Sequence, residues 1–134
     1  MNREILFRGK RNDNGEWIES CNINTQYDMY GKKHIYIGLY FQSKLYPLQK
    51  NIEWHEVDPE TVGRYTGLTV NGTKLFEGDI AKADEDVYVC FWNECNYEFG
   101  FTNSKRDFGI AYAQDIEIIG NIFDNKELLE QADR

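Results

Sequence analysis

The strongest constraint on the fold is a hydropathy pattern of period two. Ile35, Ile37, Leu39 and Phe41 alternate with Tyr36, Gly38 and Tyr40. Successive side chains of a strand point to opposite faces, so this spacing specifies a strand with one buried side and does not fit an amphipathic helix. The pattern recurs along the chain. Trp17, Glu19, Cys21 and Ile23 alternate with Ile18, Ser20 and Asn22, and Ile52, Trp54 and Glu56 alternate with Glu53, His55 and Val57. Val87–Trp92, Tyr97–Phe101 and Ile110–Phe123 read as further strands, the last broken at Gln114-Asp115 and bent at Gly120. Asp13-Asn14-Gly15 and Asn71-Gly72 are turn signals because Asn and Gly tolerate positive φ. Asn24–Lys33 reads as a loop or an irregular hairpin. Short strands with glycine corners, and no segment long enough for crossover helices, predict a mainly β, antiparallel barrel or sandwich and exclude a parallel α/β sheet.

Two helical signals interrupt the strands. Asp58-Pro59-Glu60-Thr61 places a capping residue before a proline, with Gly63 too close for more than one turn. Asp124-Asn125-Lys126-Glu127 has the D-x-x-E form of a capping box, and Leu128, Leu129 and Ala132 share one face of a short C-terminal helix. A chain of 134 residues is expected to form a single compact β unit. A soft internal boundary lies near Val57, separating residues 1–57 from a barrel-like 58–134. Aromatic side chains make up 15% of the residues, enough to fill one core without staples.

The charge is uneven. The net value is −8, yet residues 1–50 carry eight basic and five acidic side chains, against seven basic and 18 acidic over 51–134. Such an excess of carboxylates repels phosphates, so nucleic-acid binding is disfavoured. Three cysteines (Cys21, Cys90, Cys95), an odd number, point to reduced thiols in a cytoplasm. No apolar run approaches the ~18 residues of a membrane span, and the opening residues lack a signal-peptide core, so a soluble cytoplasmic protein is expected.

Four segments carry a resemblance. Val57-Asp58-Pro59-Glu60-Thr61-Val62-Gly63-Arg64-Tyr65-Thr66-Gly67-Leu68 is the longest and most specific. Phe7-Arg8-Gly9-Lys10, Phe76-Glu77-Gly78-Asp79-Ile80 and Ile119-Gly120-Asn121-Ile122-Phe123 accompany it in the expected order. Together they make the chain similar to the YopX family of phage and prophage proteins. The resemblance implies a mainly β fold whose later part is similar to an SH3-type barrel, and a bacterial cytoplasm. It carries no catalytic assignment. Lys126 departs from the proline that often follows the Asn in relatives, which leaves the capping argument intact.

No nucleophile elbow, zinc-protease helix, P-loop or dinucleotide fingerprint is present, so neither an enzyme nor a cofactor is expected. Asp58, Glu60, Glu77 and Asp79 would form a divalent-metal site if their two bends met. Local work is the favoured role: Asp58 as cap, Asp79 bonding amides around Gly78. Asp58, Pro59, Gly63, Gly67, Gly72, Gly78, Asp79 and Gly120 are therefore read as structural. Arg64 beside Tyr65 has the chemistry for an anion, with an ion pair to a nearby carboxylate as the plainer alternative. Tyr27, Tyr30, Tyr36 and Tyr40 with Lys32, Lys33 and His34 mix rings with positive charge, as single-strand binders do, but tyrosine-rich loops equally form protein contacts. The sequence thus favours a binding or assembly protein acting through a protein partner or self-association. A single-stranded nucleic-acid module and a divalent-metal enzyme on Asp58 and Asp79 remain as alternatives. Salt-sensitive strand retention and a metal-induced thermal shift would mark these two.

Overall fold

A computed structural model describes residues 4–112 and 115–132. It is mainly β, its sheets are antiparallel with a half-barrel curl, and one short helix lies near the C-terminus. The chain divides into two compact units, one running to Arg64 and the other starting at Tyr65.

In the first unit, β1 (Phe7–Lys10) and β2 (Trp17–Ser20) form a hairpin, and β3 (Asn22–Tyr27), β4 (Lys33–Gln42) and β5 (Lys50–Val57) form a three-stranded meander. The expected second strand is interrupted at Cys21. Ser20 Oγ donates to the Gly38 carbonyl at 2.6 Å and accepts from the Asn22 amide at 3.1 Å, a local bond that competes with the ladder and makes two strands of one. The segment after Asn24 is more regular than a loop: β3 runs to Tyr27 in register with β4, Tyr27 opposite Lys33. Ile35, Ile37 and Val57 form the buried cluster of this unit, with Ile18, Ile23 and Val62 against it. Gly9 belongs to that packing, since a Cβ there would stand 2.9 Å from Val57 Cγ2 and 3.2 Å from Ile37 Cδ1.

A 3-10 turn, Pro59–Thr61, follows β5, and β6 (Gly63–Val70) begins by pairing Gly63 and Arg64 with Arg8 and Phe7. In the second unit β6 continues against β7 (Thr73–Phe76) across a turn in which Asn71 has φ 50° and Gly72 φ 82°. Both positions left-handed is the geometry that Asn-Gly favours in a two-residue hairpin.

A five-stranded sheet, in the order β11 (Asp107–Gly109), β10 (Glu98–Thr102), β9 (Asp86–Asn93), β8 (Asp79–Ala83), β12 (Ile116–Asn121), carries the remainder. Leu75, Ala81, Tyr88, Cys90 and Phe101 form its main cluster. Ile80 and Val87 form a second, on which Leu128 and Leu129 of α1 (Lys126–Ala132) pack.

The last strand region differs from its expected form. Ile110–Tyr112 is a 3-10 turn, and the strand starts only at Ile116, after Asp115 at φ 52°. Of the two residues expected to break it, Gln114 lies outside the described residues. The helix starts one residue later than the capping-box reading. Asn125 precedes Lys126, and its Oδ1 accepts from the Asn121 amide at 3.1 Å, while Asn121 Oδ1 accepts from the Phe123 and Asp124 amides at 3.0 and 2.9 Å. Two asparagine side chains thus build the corner that the sequence assigned to Asp124.

Candidate functional site

Most of the large exposed apolar side chains of the first unit lie on the strands and turns of the β3–β4–β5 meander. Alternation sends Ile35 and Ile37 inward and presents His34, Tyr36, Gly38 and Tyr40 on the other side. β5 contributes Trp54 and Ile52 opposite Gly38 and Tyr40. Both remain partly open to solvent, at 45% and 37%. They lie over the bare Gly38 backbone, where a Cβ would come 3.0 Å from the Trp54 ring.

Beyond them, the β4–β5 connection carries Leu45, Tyr46 and Leu48, all exposed, and a cleft lined by Tyr40, Phe41, Pro47 and Leu48. At the opposite end the β3–β4 turn exposes Tyr27, Met29 and Tyr30, the last two at 88%.

That second turn is chemically specified. Asp28 Oδ1 accepts from the Tyr30 and Lys32 amides, each at 2.9 Å, while the Gly31 amide donates to the Asp28 carbonyl. Asp28 Oδ2 lies 3.0 Å from His34 Nε2, and Glu56 Oε2 lies 3.0 Å from His34 Nδ1. Asn12 Nδ2 donates to the same Glu56 oxygen at 3.1 Å. Bonding to Asp28 and then to Glu56 raises the His34 pKa above the ordinary histidine value. The His34 bond, followed by the Lys32 amide, lowers that of Asp28.

The other residues singled out by sequence are placed as follows. Lys32 and Lys33 are exposed beside Tyr27 and Tyr30, and Tyr36 is half-buried between Asn24 and Glu56. Arg64 and Tyr65 fall on either side of the division between the units. Arg64 is half-buried opposite Phe7. The Tyr65 ring lies 5.5 Å from that of Phe76, and its hydroxyl is 3.0 Å from Thr69 Oγ1.

Asp58 accepts from the Glu60 amide at 3.1 Å at the head of the 3-10 turn, and Pro59 is its first residue. The buried Asp79 carboxylate accepts from the Phe76 amide at 2.8 Å. Among the described residues no group of three or more His, Cys, Asp or Glu side chains is placed to hold a metal ion. Gly63 opens β6 and Gly67 sits in its register shift. Gly72 and Gly78 lie in turns, and Gly120 follows the irregularity in β12.

Sequence reasoning missed the apolar β4–β5 connection and the two carboxylates on His34. The spacing Asp28-x5-His34 around Gly31 was the available signal for one of them. Glu56 arrives from a distant strand, and its approach depends on register alone.

The resemblance-bearing segments are joined to one another inside each unit. The Lys10 amide donates to Thr61 Oγ1 at 2.9 Å and the Asp58 amide to the Lys10 carbonyl at 2.8 Å. In the second unit the Ile122 amide donates to the Gly78 carbonyl at 2.9 Å, and Gly120 and Asn121 pair with Ile80 and Asp79. These segments build the scaffold, and the exposed tyrosines lie outside them. Among the described residues no helix is long and apolar enough to cross a membrane. A family model described as YopX protein matches residues 6–130. Comparison with curated proteins and with solved structures returns no match.

Proposed function

This chain belongs to the YopX family, and on that premise we propose that it is a phage-encoded binding or assembly protein of the bacterial cytoplasm, working through protein–protein contacts rather than catalysis. The contact surface is the β3–β4–β5 meander. The observation that carries this reading is the concentration of exposed Tyr27, Met29, Tyr30, Tyr40, Leu45 and Leu48 on the turns and strands of one small sheet. Exposed apolar side chains gathered at the two ends of one small sheet suit contact with a partner, and tyrosine supplies contact area at low entropy cost.

The same turn speaks for protein over nucleic acid. Lys32 and Lys33 share it with Asp28, and Glu56 stands next to His34, so carboxylates offset the positive charge that a phosphate chain would need.

Replacing Tyr27, Tyr30 and Tyr36 together by alanine is expected to weaken association by about tenfold or more, the effect of losing one or two anchoring aromatics. Sedimentation of the wild-type and variant chains reads self-association. Capture from phage-induced host cells, with both chains as parallel baits, reads a foreign partner. Association that ignores the triple substitution would overturn the assignment. So would salt-sensitive retention of single strands that Lys32→Glu and Lys33→Glu abolish.

A further inference from the structure

We propose that His34 is a pH-responsive latch which, as an imidazolium bridging Asp28 and Glu56, holds the β3–β4 turn in its tyrosine-presenting form. The bridge itself stands on the geometry alone. Its consequence for binding rests on the function proposed above.

Both ring nitrogens lie 3.0 Å from a carboxylate oxygen. A neutral imidazole carries one N–H and can satisfy one of these two acceptors, leaving a lone pair against the other carboxylate. The doubly protonated ring donates to both. Asp28 is also the residue that organises the turn, through the Tyr30 and Lys32 amides. Protonation of His34 is therefore coupled to the backbone that displays Met29 and Tyr30, and through Glu56 it ties that turn to β5.

The charged surroundings are few. Opposite His34 on β3 is the uncharged Gln26. On β5, Glu56 is the carboxylate in contact, and beyond Val57 the Asp58 side chain is engaged by the Glu60 amide. From the β1–β2 turn comes Asn12 on Glu56, while Arg11 and Asp13 pair with each other. Lys32 and Lys33 precede His34 in the chain, Lys33 on the other face of β4 by alternation. β1, β2 and the 3-10 turn pack on the Ile35–Ile37 face, opposite the imidazole.

The direction of the effect follows from the two shifts. His34, raised, contributes stability that is complete below the ordinary histidine pKa and is lost as pH rises through its raised value. Asp28, lowered, contributes stability present above the ordinary carboxylate pKa and lost as pH falls through its lowered value. The latch is closed between those limits and opens on the alkaline side.

The test is a nuclear magnetic resonance titration of the free 134-residue chain from about pH 5 to 9, spanning the histidine range. It follows the His34 ring nitrogens and the exchange protection of the Tyr30 and Lys32 amides. His34 is expected to titrate above the value of an unstructured histidine. Protection of the two amides should fall about two- to fivefold as the ring deprotonates, the range expected for an exposed charge pair.

His34→Gln should remove that pH dependence. Asp28→Asn, which keeps an oxygen for the two amides, should lower the His34 midpoint while retaining the turn. Titration at or below the unstructured value would overturn the latch, as would an unchanged pH profile in His34→Gln. Association measured over the same range is a separate reading. A latch that titrates while association ignores pH would count against the docking surface and leave the latch in place.

Discussion

Replacing Phe101 by alanine is expected to destabilise the second unit by about 3–5 kcal/mol, the usual cost of removing a buried phenylalanine from a packed core. Phe101 is only 1% exposed and lies in β10 opposite Cys90, in the cluster formed with Leu75, Ala81 and Tyr88. Its ring centroid is 5.6 Å from that of Phe108, which in turn meets Tyr88 edge-on at 4.9 Å. The cavity would thus open where three aromatic rings converge from three adjoining strands. Folded domains hold only about 5–15 kcal/mol of net stability, so the loss would consume a large part of it.

The measurement is a denaturant titration read through Trp92, the one tryptophan after residue 64, which rests edge-on against Phe99 at 4.9 Å. The midpoint should fall with the slope unchanged. A loss below about 1 kcal/mol would show that this ring lies outside the cooperative core.

The second large effect lies in the first unit. Thr61→Val keeps the shape of a buried side chain and deletes its hydroxyl. That hydroxyl accepts from the Lys10 amide at 2.9 Å and donates to the Asp58 carbonyl at 2.7 Å. The Lys10 bond joins residues 51 positions apart, and with the Asp58 amide on the Lys10 carbonyl it ties the 3-10 turn to β1. The expected cost is about 1–3 kcal/mol, since a partly buried amide loses an acceptor and nothing of equal polarity replaces it. Exchange of the Lys10 amide should quicken by about five- to hundredfold if local opening at β1 governs it. Unchanged exchange would mean that the hydroxyl is dispensable to this junction.

These two sites differ in how far the sequence discloses them. Phe101 was legible, because Phe99 and Phe101 alternate at strand spacing and such a run has one side to bury, whereas Tyr97, read as part of the same strand, lies in the preceding turn at φ 52° and is exposed. The antiparallel class was legible for the same reason, as were the turn at Asn71-Gly72 and the 3-10 turn opened by Asp58-Pro59, whose residues carry their own conformational preferences. Thr61 was not. Nothing local marks a threonine as the acceptor for an amide 51 positions earlier, because that depends on how strands pair.

The same limit explains the misread segments. The break at Cys21 comes from a serine bonding to a carbonyl on another strand. The C-terminal corner is set by Asn121 and Asn125 bonding backbone amides, in competition with an adjacent capping signal that looked stronger.

For the candidate surface, the tyrosines were legible as unusual residues in a polar stretch. The side of the sheet on which Ile52 and Trp54 would lie was not, since alternation fixes two faces without saying which is covered.

The placement of the thiols has a practical consequence. Cys90 is buried in β9, whereas Cys21 and Cys95 are exposed, one before Arg64 and the other after it. Each half of the polypeptide therefore offers one sulfur to a maleimide dye. A donor and acceptor attached there would turn the unmodified sequence into a molecular ruler, reporting the separation of its halves in solution and any change in it with conditions.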